Sequence, residues 1–184
     1  RERVRFQDKD NDDHVELEDL TYKVEQVSIT GKDVRGFTKG RQLLLHDSGS
    51  TCTVVEDEKL CSNIRPANIG IKVGGGMLNC NKIGDFCFQL DTKAKFKTTA
   101  RIIPGFGCNV LPECFFLKKD FNVNKKEKQM KVFTPDGRLA ATAESFKYND
   151  NWLFYSPFET LKPNVLANSR QATYSGNPGK SFAA

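Results

Sequence analysis

The chain predicts a mainly β fold, and three observations carry that expectation. Its apolar runs are short and of strand type: Leu43-Leu44-Leu45, Phe86-Cys87-Phe88-Gln89-Leu90 and Trp152-Leu153-Phe154-Tyr155. Turn-forming residues bound them, as at Gly40, Ser48-Gly49-Ser50, Gly74-Gly75-Gly76 and Pro135-Asp136-Gly137. Between Lys93 and Ile102 apolar and basic residues alternate, the period of a half-buried strand.

The elements follow in order. Residues 1–20 are charged and poor in apolar side chains, and read as a solvated linker. Asp8, Asp10 and Asp12 have the spacing of a calcium loop, but Asp13 stands where an EF-hand needs glycine, so no metal site is assigned. Residues 21–30 read as a strand whose alternation slips near Gln26, as at a bulge. A second strand ends at Asp47, and a third resumes at Val54-Val55. Ile69-Gly70-Ile71-Lys72-Val73 and Met77-Leu78-Asn79-Cys80 flank Gly74-Gly75-Gly76, which predicts a hairpin with a flexible tip. The basic residues 93, 95, 97 and 101 read as the solvated face of a strand rather than a nucleic-acid surface. Pro112 is placed near the first turn of a short helix over residues 112–119. A hairpin centred on Pro135-Asp136-Gly137 and a last strand over residues 152–155 complete the domain. The expected division is thus linker 1–20, domain 21–156 and flexible tail 157–184, where Pro, Asn, Ser and Gly accumulate.

Composition narrows the function classes. A length of 184 residues suits one domain with extensions, and 14 phenylalanines supply much of its core despite a mean hydropathy of −0.52. No stretch approaches the roughly 20 apolar residues of a membrane span. A net charge of +5 is mild for a nucleic-acid binder. The six cysteines contain no Cys-x-x-Cys, and the two histidines (14 and 46) complete no zinc set. The chain opens Arg1-Glu2-Arg3 without Met or signal peptide, so we expect a piece of a longer protein with reduced, mostly buried thiols.

The chemistry-bearing stretch is Leu43-Leu44-Leu45-His46-Asp47-Ser48-Gly49-Ser50-Thr51. A buried strand delivers one carboxylate into a turn of small hydroxyl residues, and Gly49 lets another backbone approach. Peptide hydrolysis by carboxylates needs two of them about 3 Å apart sharing one proton. One acts as general base on water while the other, protonated, donates to the scissile carbonyl. The chain holds one Asp-Ser-Gly; Asp136-Gly137 lacks the hydroxyl residue and Asp33-Val34-Arg35-Gly36 is spaced wrongly. One chain supplies one carboxylate, so the pair requires a symmetric dimer with Asp47 of each subunit at the two-fold axis. Asp-Ser-Gly is also an ordinary turn sequence, and Asp at the first position of a turn needs no function.

Four blocks together resemble the protease of copia-type LTR retrotransposons, a branch of the retropepsin-like aspartic proteases. They are the Asp47 stretch; Ile71-Lys72-Val73-Gly74-Gly75-Gly76; Ala100-Arg101-Ile102-Ile103-Pro104-Gly105 running to Cys108-Asn109-Val110-Leu111; and Val132 to Gly137 followed by Asn151-Trp152-Leu153-Phe154-Tyr155. They cover about residues 40–155. The resemblance implies a closed, barrel-like β subunit with a flap hairpin and a short helix, working as a homodimer. It implies cleavage of the element's own Gag-Pol polyprotein in a cytoplasmic virus-like particle, with no cofactor or metal, no membrane, and nucleic acid met only through the particle. On it, Asp47 is catalytic, Ser48 braces the two active-site loops, and Gly49 receives substrate backbone, with Ser50 completing the loop. Val73, Gly74, Gly75 and Gly76 form the flap over bound peptide, and the tail leads toward integrase. His46 stands where the family usually has an apolar residue, and Pro112 replaces a small one.

Other classes remain open on sequence alone. One is a catalytically silent domain of the same fold, used for dimerisation or partner binding, or a domesticated host protein. Another is a secreted β module stapled by its six cysteines.

Overall fold

Three consecutive leucines need apolar surroundings on both faces of a strand, because successive side chains point to opposite sides. The computed structural model of the chain describes residues 23–29, 34, 37–126, 128–148, 150–162 and 173–174, and it shows how that need is met. Strand β2 (Leu43–Asp47), preceded by β1 (Lys23–Gln26), is buried along its whole length. Leu44 belongs to one apolar cluster with Phe86, Phe88, Phe96, Leu111 and Phe116. Leu45 belongs to a second, with Val27, Ile29, Ile69, Ile71 and Cys80. The same split recurs at Val54 and Val55 in β3 (Thr53–Val55) and at Val110 and Leu111 in β7 (Asn109–Pro112). Continuous apolar pairs mark the strands that separate two cores.

The protein is mainly β, with 62% of the described residues in strands and 8% in helix. The long hairpin pairs β4 (Cys61–Val73) with β5 (Gly76–Leu90), and β6 (Lys95–Ile102) pairs antiparallel to β5. After β7 comes the one-turn helix α1 (Cys114–Leu117), then β8 (Asn122–Lys126), β9 (Gln129–Phe133), β10 (Leu139–Tyr148) and β11 (Asn151–Thr160) as an antiparallel meander. A short β12 (Thr173–Tyr174) lies parallel to β6. Pairing runs β5-β6-β3-β7-β2-β11 and returns to β5, because Phe158, Glu159 and Thr160 of β11 pair with Leu90, Gln89 and Phe88. That circuit closes a barrel, which removes sheet edges along it. The phenylalanine-rich cluster fills it; Phe86 and Phe88 stack at 4.7 Å between ring centroids, and Phe158 meets both edge-on.

Several expectations are corrected. The strand expected over residues 21–30 is only four residues where described, and it pairs parallel to β4, with Lys23 opposite Ile69 and Gln26 opposite Lys72. Pro112 does not open the helix: it ends β7 opposite Asp47, and the Asp47 carbonyl accepts from Glu113 N–H instead (3.1 Å). The last strand does not stop near residue 156 but continues through Pro157 to Thr160, because burying Phe158 joins β11 to β5. The basic face of β6 is not simply solvated: Lys95 is buried, and Arg101 is covered by Glu25 of β1. The hairpin and the Pro135-Asp136-Gly137 turn lie where expected, although both hairpin strands are longer than the apolar runs suggested. The linker 1–20, its calcium-like spacing and most of the tail lie outside the described residues. Among the described residues no helix is long and apolar enough to cross a membrane.

Candidate active site

Asp47 sits where β2 leaves the barrel, and its carboxylate points to the second cluster's side, opposite His46. Its turn closes with Ser50 N–H on the Asp47 carbonyl (3.3 Å). The residue is 4% exposed, so its oxygens need partners. Two come from its own turn: Gly49 N–H donates to Oδ1 at 2.9 Å, and the Ser50 hydroxyl donates to Oδ2. Three come from the segment after β1: Ser28 N–H and Ile29 N–H each donate to Oδ2 at 3.0 Å, and the Ser28 hydroxyl donates to Oδ1. Five donors therefore converge on the two oxygens of one carboxyl group.

The small residues of the loop have distinct jobs. Gly49 makes the close approach for which glycine is needed: a Cβ there would lie 2.6 Å from Ser28 Oγ and 2.8 Å from Ser28 Cβ. Ser50 is buried on the carboxylate, whereas Ser48 is exposed at the top of the turn. Thr51 completes the link to β1, its N–H donating to the Gln26 carbonyl (2.9 Å) and its Oγ1 accepting from Gln26 N–H (3.0 Å).

A cavity of about 400 Å³ opens beside Asp47 and Ser48. Its walls include Ser28, Ile29, His46, Lys125 and Trp152. His46 is 5% exposed; its Nε2 lies 2.7 Å from Ser156 Oγ. That hydroxyl already donates to the Thr142 carbonyl (2.6 Å), so it accepts from Nε2–H and leaves Nδ1 as the bare nitrogen. Nδ1 is buried with no partner among the described residues. Burial, helped by the nearby Lys125 charge, lowers the His46 pKa from 6.5 to about 3, so the ring is neutral at pH 7. It stacks toward Phe116 at 6.0 Å, on the barrel side.

All six cysteines are free, and burial pushes Cys61 and Cys108 up to about 12, so their thiolates are scarce near neutrality. Among the described residues no cluster of His, Cys, Asp or Glu could hold a metal ion.

Of the residues singled out in the sequence, Asp47, Ser48, Gly49 and Ser50 share one turn. Val73, Gly74, Gly75 and Gly76 form the hairpin tip; the glycines there have nothing packed on them at positions 75 and 76, and none of the four lines the cavity. The hairpin reaches Asp47 through β1: Val27 N–H donates to the Lys72 carbonyl (2.9 Å), and the next two residues hold the carboxylate. Ser28 and Ile29 were not found by sequence reasoning. A serine and an isoleucine in a β-rich run carry no local mark of a partner 19 and 18 residues away.

Compared with known proteins, the chain matches no family model and no curated protein.

Proposed function

We propose that the chain is an aspartic endopeptidase of the retropepsin-like type, active as a homodimer in which Asp47 of each subunit forms the catalytic pair. The observation that carries this reading is the setting of Asp47: a buried carboxylate at the end of a strand, held by donors from its own turn, with a cavity on one side and extended backbone on the other. In the dimer the two carboxylates share a proton. The ionised member takes a proton from water as the water oxygen attacks the scissile carbonyl carbon, and the protonated member donates to the carbonyl oxygen. Gly49 N–H and the Ser50 hydroxyl hold the carboxylate in place, Ser48 is exposed where a second loop would meet it, and the β4-β5 hairpin is the flap. The substrate by resemblance is the Gag-Pol polyprotein of a copia-type element, cut in a cytoplasmic particle. No metal or cofactor takes part in this scheme.

A silent domain of the same fold is the second reading, favoured by one specific observation: Ser28 and Ile29, from a segment distant in sequence, already occupy both oxygens of the Asp47 carboxylate, as for a structural aspartate. The disulfide-stapled module is disfavoured by six free thiols. The deciding experiment expresses a longer precursor with Asp47 or Asp47→Asn. Self-processing by the first, blocked by pepstatin and absent in the second, supports the protease; processing that survives Asp47→Asn in a preparation free of other proteases refutes it.

A further inference from the structure

The strand-docking edge beside Asp47 is already filled by the chain itself. Without β1, residues 69–72 of β4 would be the free edge of the sheet, since among the described residues β4 otherwise pairs only with β5. An extended peptide would add to such an edge through main-chain hydrogen bonds. Residues 23–29 take those bonds instead. Gln26 is bound from the other side by Thr51, and Val27 and Ile29 insert into the second cluster, while Val24 stays 60% exposed. The segment then ends on Asp47 with donors only: Ser28 N–H, Ile29 N–H and the Ser28 hydroxyl. A water that Asp47 is to deprotonate must donate to one of these same oxygens. A scissile peptide must present its carbonyl there, and this segment presents none. Glu25 fastens the far end, donating nothing itself but accepting from Arg101 Nε at 2.6 Å and from its Nη2.

We propose that residues 23–29 form an autoinhibitory strap that holds the Asp47 site in an occupied state and must lift from β4 and Asp47 before a peptide enters. This rests on the protease reading above. The strap is a dead-end occupant of the Asp47 site and not its first substrate. Glu25–Arg101 is its clasp, and neither side chain bonds to Asp47.

The test is made on the full chain by amide hydrogen exchange and by peptide cleavage. In the wild type the Val27, Ser28 and Ile29 amides exchange slowly. Saturating pepstatin raises their exchange at least tenfold, and Glu25→Gln both raises it without inhibitor and increases kcat/KM at least threefold. Fast exchange of these amides in the uninhibited wild type overturns the strap whatever the activity. Pepstatin binding, seen by calorimetry, with the three amides still protected overturns it too and leaves the protease reading intact. If Glu25→Gln frees the amides yet the chain neither binds pepstatin nor cleaves peptide, the protease reading fails and the inference falls with it. Since the exchange measurement on the wild type needs no variant, a misfolded Glu25→Gln does not remove the test.

Discussion

At the scale of single residues, the two neighbours His46 and Asp47 show how one strand serves two environments. Alternation sends the imidazole toward Phe116 and the carboxylate toward Ser28 and Ile29, so a residue adjacent in sequence to the candidate catalytic group faces the other core. The cost of His46 is a pH liability. Its folded pKa, about 3, lies below the 6.5 of the exposed group, so the unfolded chain takes up the proton first. The stability contributed by neutral His46 is complete above pH 6.5 and is lost as the pH falls toward 3. At pH 5, about 1.5 pH units below the unfolded value, the loss is about 2 kcal/mol. Urea unfolding of wild type and His46→Leu at pH 7 and pH 5 checks this: the wild type should lose about 2 kcal/mol more than the variant, and parallel losses would refute it. Asp47→Asn carries a second residue-scale expectation. An amide nitrogen cannot accept, so at least one of the donors now on the carboxylate is left facing another donor. Unfolding free energy should drop by about 1–3 kcal/mol along with the loss of cleavage. A variant that is inactive but as stable as wild type would mean that the segment 27–29 does not rest on Asp47 in solution.

At the scale of elements, the long hairpin separates what its sequence shows from what it does not. Gly74-Gly75-Gly76 between apolar runs is a readable turn, and the turn is there, with Val73 opposite Gly76. The full lengths of β4 and β5 were not readable, because residues such as Asn63, Arg65, Asn79 and Lys82 are polar and face outward, and two register shifts break the alternation. Gly84 also went unnoticed; a Cβ there would come within 2.8 Å of Cys61 Cβ, so it lets β4 and β5 meet above Ile102. Gly84→Ala should therefore cost about 1–3 kcal/mol through overpacking, measured by chemical unfolding, while Gly75→Ala should change stability by less than about 0.5 kcal/mol, since nothing lies within 4 Å of its Cβ position. Equal effects at the two positions would contradict the packing described. If the hairpin is the flap, Gly75→Val should lower turnover of a peptide substrate while leaving the unfolding midpoint nearly unchanged, and unaltered kinetics would place the flap elsewhere. The one-turn helix and the strand through Pro157 were misjudged for the same physical reason: a proline was taken as a boundary. Each proline ends or lies in a ladder where its missing N–H is not called on, as where Glu113 supplies the donor for Asp47.

At the scale of the whole molecule, the barrel circuit and the two cores account for why β2 was legible, and why β1 was legible as a strand within residues 21–30 but not in its parallel pairing with β4. A strand buried on both faces advertises itself by consecutive apolar residues, as Leu43-Leu44-Leu45 does. A strand added at an edge, as β1 is, leaves its Val24 exposed; only Val27 and Ile29 just after it enter a core, and its partners are long-range. The same consideration bears on assembly. One chain brings one Asp-Ser-Gly, and no second aspartate is near enough among the described residues to bond with Asp47, so hydrolysis by a carboxylate pair requires a second copy. On the proposed mechanism the active species is a dimer to which two Ser48-bearing loops contribute equally, with the proposed strap displaced in at least one subunit for a peptide to be held. Specific activity should fall on dilution through the dimer dissociation constant and recover on reconcentration, with the fall tracking the dimer fraction measured by sedimentation. Mixing wild type with excess Asp47→Asn should poison activity, because a mixed dimer holds one carboxylate and one amide and cannot share a proton between two acids. At a tenfold excess of variant, with random exchange of subunits, wild-type pairs become a small minority and activity per wild-type chain should drop by about tenfold. A monomer that cleaves peptide in strict proportion to its concentration, indifferent to added Asp47→Asn, would remove the two-fold pair and with it the proposed mechanism.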